Sequence, residues 1–250
     1  MENNCPKISI ITVVFNNVSQ IEETILSVVN QTYSNIEYIV IDGGSTDGTV
    51  DIIKKYAEKI TYWISEPDGG IYHAMNKGVE KASGEWVTNV NVGDVLLEIP
   101  VDVLQTLDAD KYDALCGSVV LDNKKIIKPQ FNWKILIFNT LPHQGLYYNR
   151  KKLYAKYDVK YSVYADFAYN IGMYQRKQKV YLTDKILCLH TADGISNNRQ
   201  SSKELFALIK EQNGWFFEVL SFIYFKYQGL KFRIATVISA ICKEKSKKNM

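Results

Sequence analysis

Hydrophobic runs and helical periods alternate along the first hundred residues. Lys7–Phe15, KISIITVVF, is rich in β-branched residues and nearly unbroken, as in a strand buried on both faces. Asn16-Asn17 interrupts it, and Ile21, Ile25, Val28 and Val29 then recur at helical spacing. Ser19 followed by Glu22 has the capping-box form for the start of that helix. Ile36–Ile41, IEYIVI, is a second buried strand running into the polar loop Asp42–Thr49, in which Asp47 is placed to cap the helix Val50–Ala57 at Thr49. Ile60–Ile64 predicts a strand, Ser65–Gly70 a loop, and the residues through Lys81 a helix. Glu85–Val92 then reads as one further buried strand ending in a turn at Gly93-Asp94.

Strands alternating with helices predict an α/β fold with a mostly parallel, doubly wound sheet. Every strand exit then lies on one edge. That edge gathers Phe15–Asn17, Asp42–Asp47, Asp68–Gly70 and Asn91–Asp94, four polar exits around a nucleotide-sized cleft. Asp94 is either a plain turn residue or a carboxylate holding a divalent cation against a phosphate. The convergence of the exits favours the second. After Pro100 the alternation weakens. Tyr112–Val120 predicts a strand with Lys124–Lys128 beside it, and Lys203–Gln212 an amphipathic helix broken by Gly214. The expected organisation is an α/β domain over residues 1–200, in two halves, 1–98 and 99–200. Residues 201–250 form a helical extension.

Net charge over the 250 residues is only +3, which gives no reason to expect nucleic acid as a partner. The charge is uneven: residues 221–250 hold seven Lys or Arg and one Glu. Joined to the apolar, aromatic stretch Trp215–Phe225, this suits an element lying in an anionic membrane surface through residues 215–250. A helical pair packed on the body with a solvated tail is the alternative. Four widely spaced cysteines suggest reduced thiols in a cytoplasmic protein, and the N-terminus has no apolar signal-peptide core. The first strand is followed by Phe15-Asn16-Asn17-Val18, with no dinucleotide fingerprint. A P-loop and the Gly-rich, Arg-bearing loop of a nucleotidyltransferase are also missing.

Four blocks, KISIITVVFNN, YIVIDGGSTDGT, ISEPDGGIYHAMNKG and GEWVTNVNVGD, resemble in order and spacing the GT-A glycosyltransferases of family 2. The likeness is greatest to the bacterial branch that builds O-antigen, capsule and colanic-acid repeat units. It covers residues 7 to about 97, with weaker matches to about 200. The resemblance implies an inverting transferase that moves a sugar from a UDP-sugar to an undecaprenyl-diphosphate-linked saccharide, peripheral at the inner face of the cytoplasmic membrane. It implies that Thr12, Val13, Val14 and Phe15 line the uracil pocket and that Asp42 bonds the nucleoside. Asp68, Gly69 and Gly70 match the loop under the ribose and diphosphate, and His73 and Asn76 fall in the same donor-binding block. Asn91-Val92-Gly93-Asp94 stands at the D-x-D motif, with Asp94 as ligand to Mn²⁺ or Mg²⁺.

Two departures stand out. The motif has a single carboxylate, Asn91 offering only a neutral oxygen, although an N-x-G-D form occurs in the branch. His73 stands where an aspartate is expected, and is either a donor contact or a helix-surface residue. These departures keep open a second reading, a non-catalytic nucleotide-sugar-binding or assembly subunit. His143-Gln144 matches a pair expected to contact the acceptor, or is simply a packed polar pair. Asp166 matches the catalytic base, or is a helix N-terminal charge. His190 and Asp193 lie in LCLHTADGIS, which resembles a loop closing over the donor or acceptor, and His190 is a second candidate metal ligand.

Overall fold

The computed structural model describes residues 5–191 and 199–230. The strands and helices alternate as β1 (Ile8–Val14), α1 (Ile21–Val29), β2 (Ile36–Asp42), α2 (Thr49–Lys55), β3 (Tyr62–Ser65), α3 (Ile71–Lys81) and β4 (Trp86–Asn89). They continue as β5 (Asp94–Leu96), α4 (Val101–Thr106), β6 (Ala114–Leu121), β7 (Ile126–Ile127), β8 (Leu146–Asn149), α5 (Ala165–Gln175), β9 (Val180–His190) and α6 (Arg199–Asn213). Residues 215–230 are helical and form α7.

One sheet runs in the order β3-β2-β1-β4-β8-β6-β9-β5, with β7 beside β6. β3, β2, β1 and β4 are mutually parallel, so their C-terminal ends share one edge. The later strands add antiparallel pairs at β4–β8, β6–β8 and β5–β9 and a parallel pair at β6–β9. The architecture is the expected α/β sheet flanked by helices, with its parallel part confined to the first four strands and the β6–β9 pair.

β1 shows why the run KISIITVVF folds as it does. Ile8, Ile10 and Val14 pack on one face with Ile21, Ile25 and Val28 of α1 and Ile53 of α2. Ile11 and Val13 pack on the other with Tyr72 and Met75 of α3 and Phe167 and Ile171 of α5. Burial on both faces requires apolar residues at odd and even positions alike.

Two local expectations fail. No Ser19 capping box forms: α1 starts at Ile21 without a side-chain cap, and the Ser19 hydroxyl donates to Asn17 Oδ1. Glu22 is instead drawn to Lys55 (2.6 Å) and the Tyr56 hydroxyl (2.6 Å) beside α2, a tertiary ion pair that outcompetes the local cap. The strand expected over Glu85–Val92 also splits. β4 ends at Asn89, and Asp94 opens β5, which pairs with β9 rather than continuing along β1. The Asp47 cap does form, with Oδ1 accepting from the Thr49 N–H (3.0 Å) and hydroxyl (2.6 Å).

The C-terminal part breaks at Gly214, which adopts φ 88°. α6 is fastened to the chain just before α5: Glu204 accepts from the N–H groups of Ser162, Val163 and Tyr164. Asp193 and residues 231–250 lie outside the described residues. Among the described residues no helix is long and apolar enough to cross a membrane.

Candidate active site

The donor edge is built where β1, β2 and β3 end. Phe15 leaves β1 with its ring 63% exposed. Thr12, Val13 and Val14 do not line a pocket with their side chains. All three are buried in the sheet, and the Thr12 hydroxyl is bonded to the Val90 carbonyl (2.7 Å). Asp42 is likewise turned inward and fully buried. Its carboxylate accepts from the N–H groups of Gly44 (3.0 Å) and Ser45 (2.9 Å) and the hydroxyls of Ser45 (2.5 Å) and Ser65 (2.6 Å). These bonds shape the loop, and Asp42 presents no exposed surface.

Asp68, by contrast, is only half-buried. A side-chain carbon on Gly43 would lie 3.1 Å from Asp68 Oδ2 and 3.3 Å from the Phe15 ring. Glycine at 43 therefore keeps open a notch walled by an aromatic face and a carboxylate. Asp68 Oδ1 accepts from the Gly70 N–H at 2.8 Å. His73 lies over Gly69, where any β-carbon would fall 2.6 Å from the ring. Gly70, at φ 116°, turns the chain into α3. Asn76 is spent elsewhere: its amide bonds the Tyr157 carbonyl and N–H, both at 2.9 Å, and so holds the 157 segment against α3.

The carboxylate edge begins with the turn Asn91–Asp94. The Asp94 N–H donates to the Asn91 carbonyl (2.9 Å), and Gly93 sits at φ 91°, open to glycine without strain. Val92 is half-buried, its N–H on the Val13 carbonyl (3.3 Å). Thr24 of α1 clamps the turn: its hydroxyl donates to the Asp94 carbonyl (2.9 Å) and accepts from the Gly93 N–H (3.1 Å). Asp94 is paired in register with His190 across β5 and β9. His190 Nδ1 stands 2.6 Å from Asp94 Oδ1, and the Gln144 amide stands 3.0 Å from the same nitrogen. The hydrogen bond to Asp94 raises the His190 pKa above its ordinary value, against the opposing effect of burial.

No group of three or more His, Cys, Asp or Glu converges on one point among the described residues. Asp94 and His190 offer an oxygen and a nitrogen donor, and the same turn carries Asn91, whose buried Oδ1 has no hydrogen-bond partner among the described residues. This donor set fits a divalent cation whose remaining positions are taken by phosphate oxygens.

Asp166 stands in the first turn of α5, 9% exposed. Oδ1 accepts from the Tyr72 hydroxyl at 2.8 Å, and Oδ2 lies 3.4 Å from Asn139 Nδ2 and 3.8 Å from His143 Nδ1. Burial, and then the charge of Asp166, raise the Tyr72 pKa well above its ordinary range, so the phenol stays a donor. His143 Nε2 in turn lies 3.1 Å from Asn91 Nδ2. The 3-10 turn His143–Gly145 thus sends His143 to Asn91 and Asp166, and Gln144 to His190. Gln144 is buried, and both residues connect the two carboxylates rather than standing free for an acceptor. Tyr72, Asn139 and Thr24 were not singled out by the sequence. Tyr72 falls inside ISEPDGGIYHAMNKG, but nothing local marks Asn139 or Thr24.

A parallel nucleotide-binding half with a carboxylate turn after β4 and a mixed second half defines the GT-A class of fold. The family model for glycosyl transferase family 2 matches residues 9–178, and the chain belongs to that family. A PGL/p-HBAD biosynthesis glycosyltransferase of Mycobacterium bovis is 28% identical over 211 residues, covering 77% of this chain and 80% of that protein. An uncharacterized glycosyltransferase of Rickettsia typhi is 35% identical over 123 residues, 48% of this chain and 38% of the other. Among solved structures, the TarS 1-349 fragment of S. aureus in complex with UDP-GlcNAc superposes with a TM-score of 0.66 at 19% identity, over 82% of this chain and 66% of that one. This chain thus spans about two thirds of that fragment. The mannosyltransferase PcManGT of Pyrobaculum calidifontis, in complex with GDP-Man and Mn²⁺, gives 0.61 at 19% identity, over 81% and 63%.

Proposed function

We propose that this glycosyltransferase moves a sugar, with inversion, from a UDP-sugar to a hydroxyl of an undecaprenyl-diphosphate-linked saccharide in bacterial surface polysaccharide synthesis. The observation that carries the reading is the joining of two carboxylate centres by side-chain contacts. Asp94 with His190 forms the donor-side centre, and Asp166 stands behind it, linked through His143 and Asn91. Phe15 would stack on the base and Asp68 would bond the nucleoside, taking the part expected of Asp42. That binding, remote from the reacting atoms, orients the donor.

Asp166 takes the acceptor proton as the hydroxyl oxygen bonds to the anomeric carbon, and the bond from that carbon to UDP breaks. Tyr72 and Asn139 hold the carboxylate for this step. Asp94, His190 and Asn91 Oδ1 would hold Mn²⁺ or Mg²⁺, which would neutralise charge on the departing diphosphate. Complexes of fold neighbours with UDP-GlcNAc and with Mn²⁺ support this reading.

The C-terminal helix supports a site at the inner face of the cytoplasmic membrane. Trp215, Phe216, Val219, Phe222, Ile223 and Leu230 of α7 are exposed at near-helical spacing. Six Lys or Arg follow in residues 231–250. An apolar stripe followed by basic residues suits a bilayer surface carrying anionic lipid.

Calorimetric titration of UDP with Mn²⁺ and with EDTA tests the donor site, followed by assay of UDP-sugars for turnover. Metal-dependent binding with turnover is expected. Binding without turnover of any donor would favour a nucleotide-sugar-binding subunit.

A further inference from the structure

The structure gives the Asn91 amide a use that a carboxylate would lack. Its Nδ2 lies 3.1 Å from His143 Nε2, and its buried Oδ1 has no hydrogen-bond partner among the described residues. An amide nitrogen only donates, so His143 Nε2 accepts, and a neutral ring then carries its proton on Nδ1. Nδ1 is the nitrogen that faces Asp166, 3.8 Å from Oδ2. The contact also works in the other direction. With Nδ2 committed to the ring, Oδ1 is the end of the amide left for a ligand.

We propose that Asn91 and His143 are positioning residues that couple the two centres of the site, the amide setting the imidazole tautomer toward Asp166 and the ring setting the amide with its oxygen free. The inference rests on the transferase reading above and deepens it. A carboxylate at 91 only accepts, so the ring would need a proton on Nε2. A neutral ring would then turn a lone pair toward Asp166, which repels the carboxylate. Tyr72 and Asn139 hold Asp166 from other sides, so the coupling adjusts the carboxylate rather than creating its place.

The chain has three histidines, which makes the imidazole nitrogens countable by NMR. In the full chain labelled with ¹⁵N-histidine, without metal, the signal lost in His143→Gln identifies His143. It is expected to show a protonated Nδ1 and a bare Nε2, opposite to the usual preference of free imidazole. Asn91→Asp should move it to the Nε2-protonated or doubly protonated form. An Nε2-protonated ring in the unmodified protein, or a spectrum unchanged by Asn91→Asp, would overturn the proposal.

Kinetics supply the second arm. Asn91→Asp should keep the affinity for UDP with Mn²⁺ within about threefold or tighten it. It should also lower kcat by about tenfold or more. His143→Gln should lower kcat as much and, by releasing the Asn91 amide, also weaken UDP binding with Mn²⁺, and the double variant should lose no more kcat than either single one. Multiplying losses, or a faster Asn91→Asp enzyme, would count against the coupling. A protein that binds UDP yet turns over no donor would defeat the transferase reading, and the spectrum would still decide the tautomer.

Discussion

Asp94 and His190 are 96 residues apart in the chain, yet they are register partners across β5 and β9 with side chains 2.6 Å apart. The backbone ladder brings them together, so the pairing survives changes in the side chains themselves. The cation proposed at this pair would sit on a rigid sheet edge rather than on a loop.

On this reading, Asp94→Ala should weaken UDP binding by about tenfold or more when Mn²⁺ is present and leave it unchanged in EDTA. His190→Ala should show the same pattern more weakly, because imidazole is a neutral ligand. Titration calorimetry under the two conditions checks both. Equal weakening with and without metal would remove the pair from cation binding.

Asp166→Asn should lower turnover by about 10²–10⁴-fold while UDP binding persists. Tyr72→Phe removes only the donor to Asp166 Oδ1, and should lower kcat by about tenfold with no change in UDP affinity. Initial rates with a responsive UDP-sugar, set beside UDP titrations, measure the split. Retained turnover in Asp166→Asn would take that residue out of the mechanism.

Glu37 makes a pH prediction away from the site. Burial alone would raise its pKa, but Lys7, Ser83 and Ser9 outweigh burial and hold it at about 2, against an ordinary 4.5. The folded state therefore prefers the ionised form, and this stabilisation is present above pH 4.5. It is lost as pH falls from 4.5 toward 2, at most about 3 kcal/mol in all. Urea melts of Glu37→Gln should show a deficit at neutral pH that narrows across that window. A deficit constant with pH would contradict the assignment.

Gly78 of α3 faces β1 with no room for a side chain, because an added β-carbon would collide with Ile11 Cγ2. Ile11 is fully buried between layers and has nowhere to move. Gly78→Ala should cost about 1–3 kcal/mol despite its better helix propensity. A denaturant midpoint equal to or above that of the parent protein would refute this packing argument.

The α7 stripe predicts binding to vesicles containing phosphatidylglycerol and little binding to phosphatidylcholine alone. Replacing Phe222 and Ile223 with Glu should abolish co-sedimentation while UDP binding is kept, since neither residue touches the donor edge. Unchanged sedimentation would point to packing against a protein instead.

The sequence by itself determined the parallel half. Unbroken β-branched runs, helical periods and glycine-bearing exits report burial and backbone freedom residue by residue, so β1, β2, α2 and α3 appear within a few residues of their expected bounds. Asp94 stood out as a carboxylate at a strand exit, and Phe15, Asp68 and Asp166 through the blocks that resemble the family. The tertiary structure decided what local pattern does not encode. It turned Asp42 inward, because the Gly44, Ser45 and Ser65 donors lie within reach only once β2 and β3 pair. It drew Glu22 to α2, split the strand before Asp94, and set His190, Gln144 and His143 between the two carboxylates. Those relations come from strand register and from contacts between residues far apart in the chain, distances that a one-dimensional pattern does not carry.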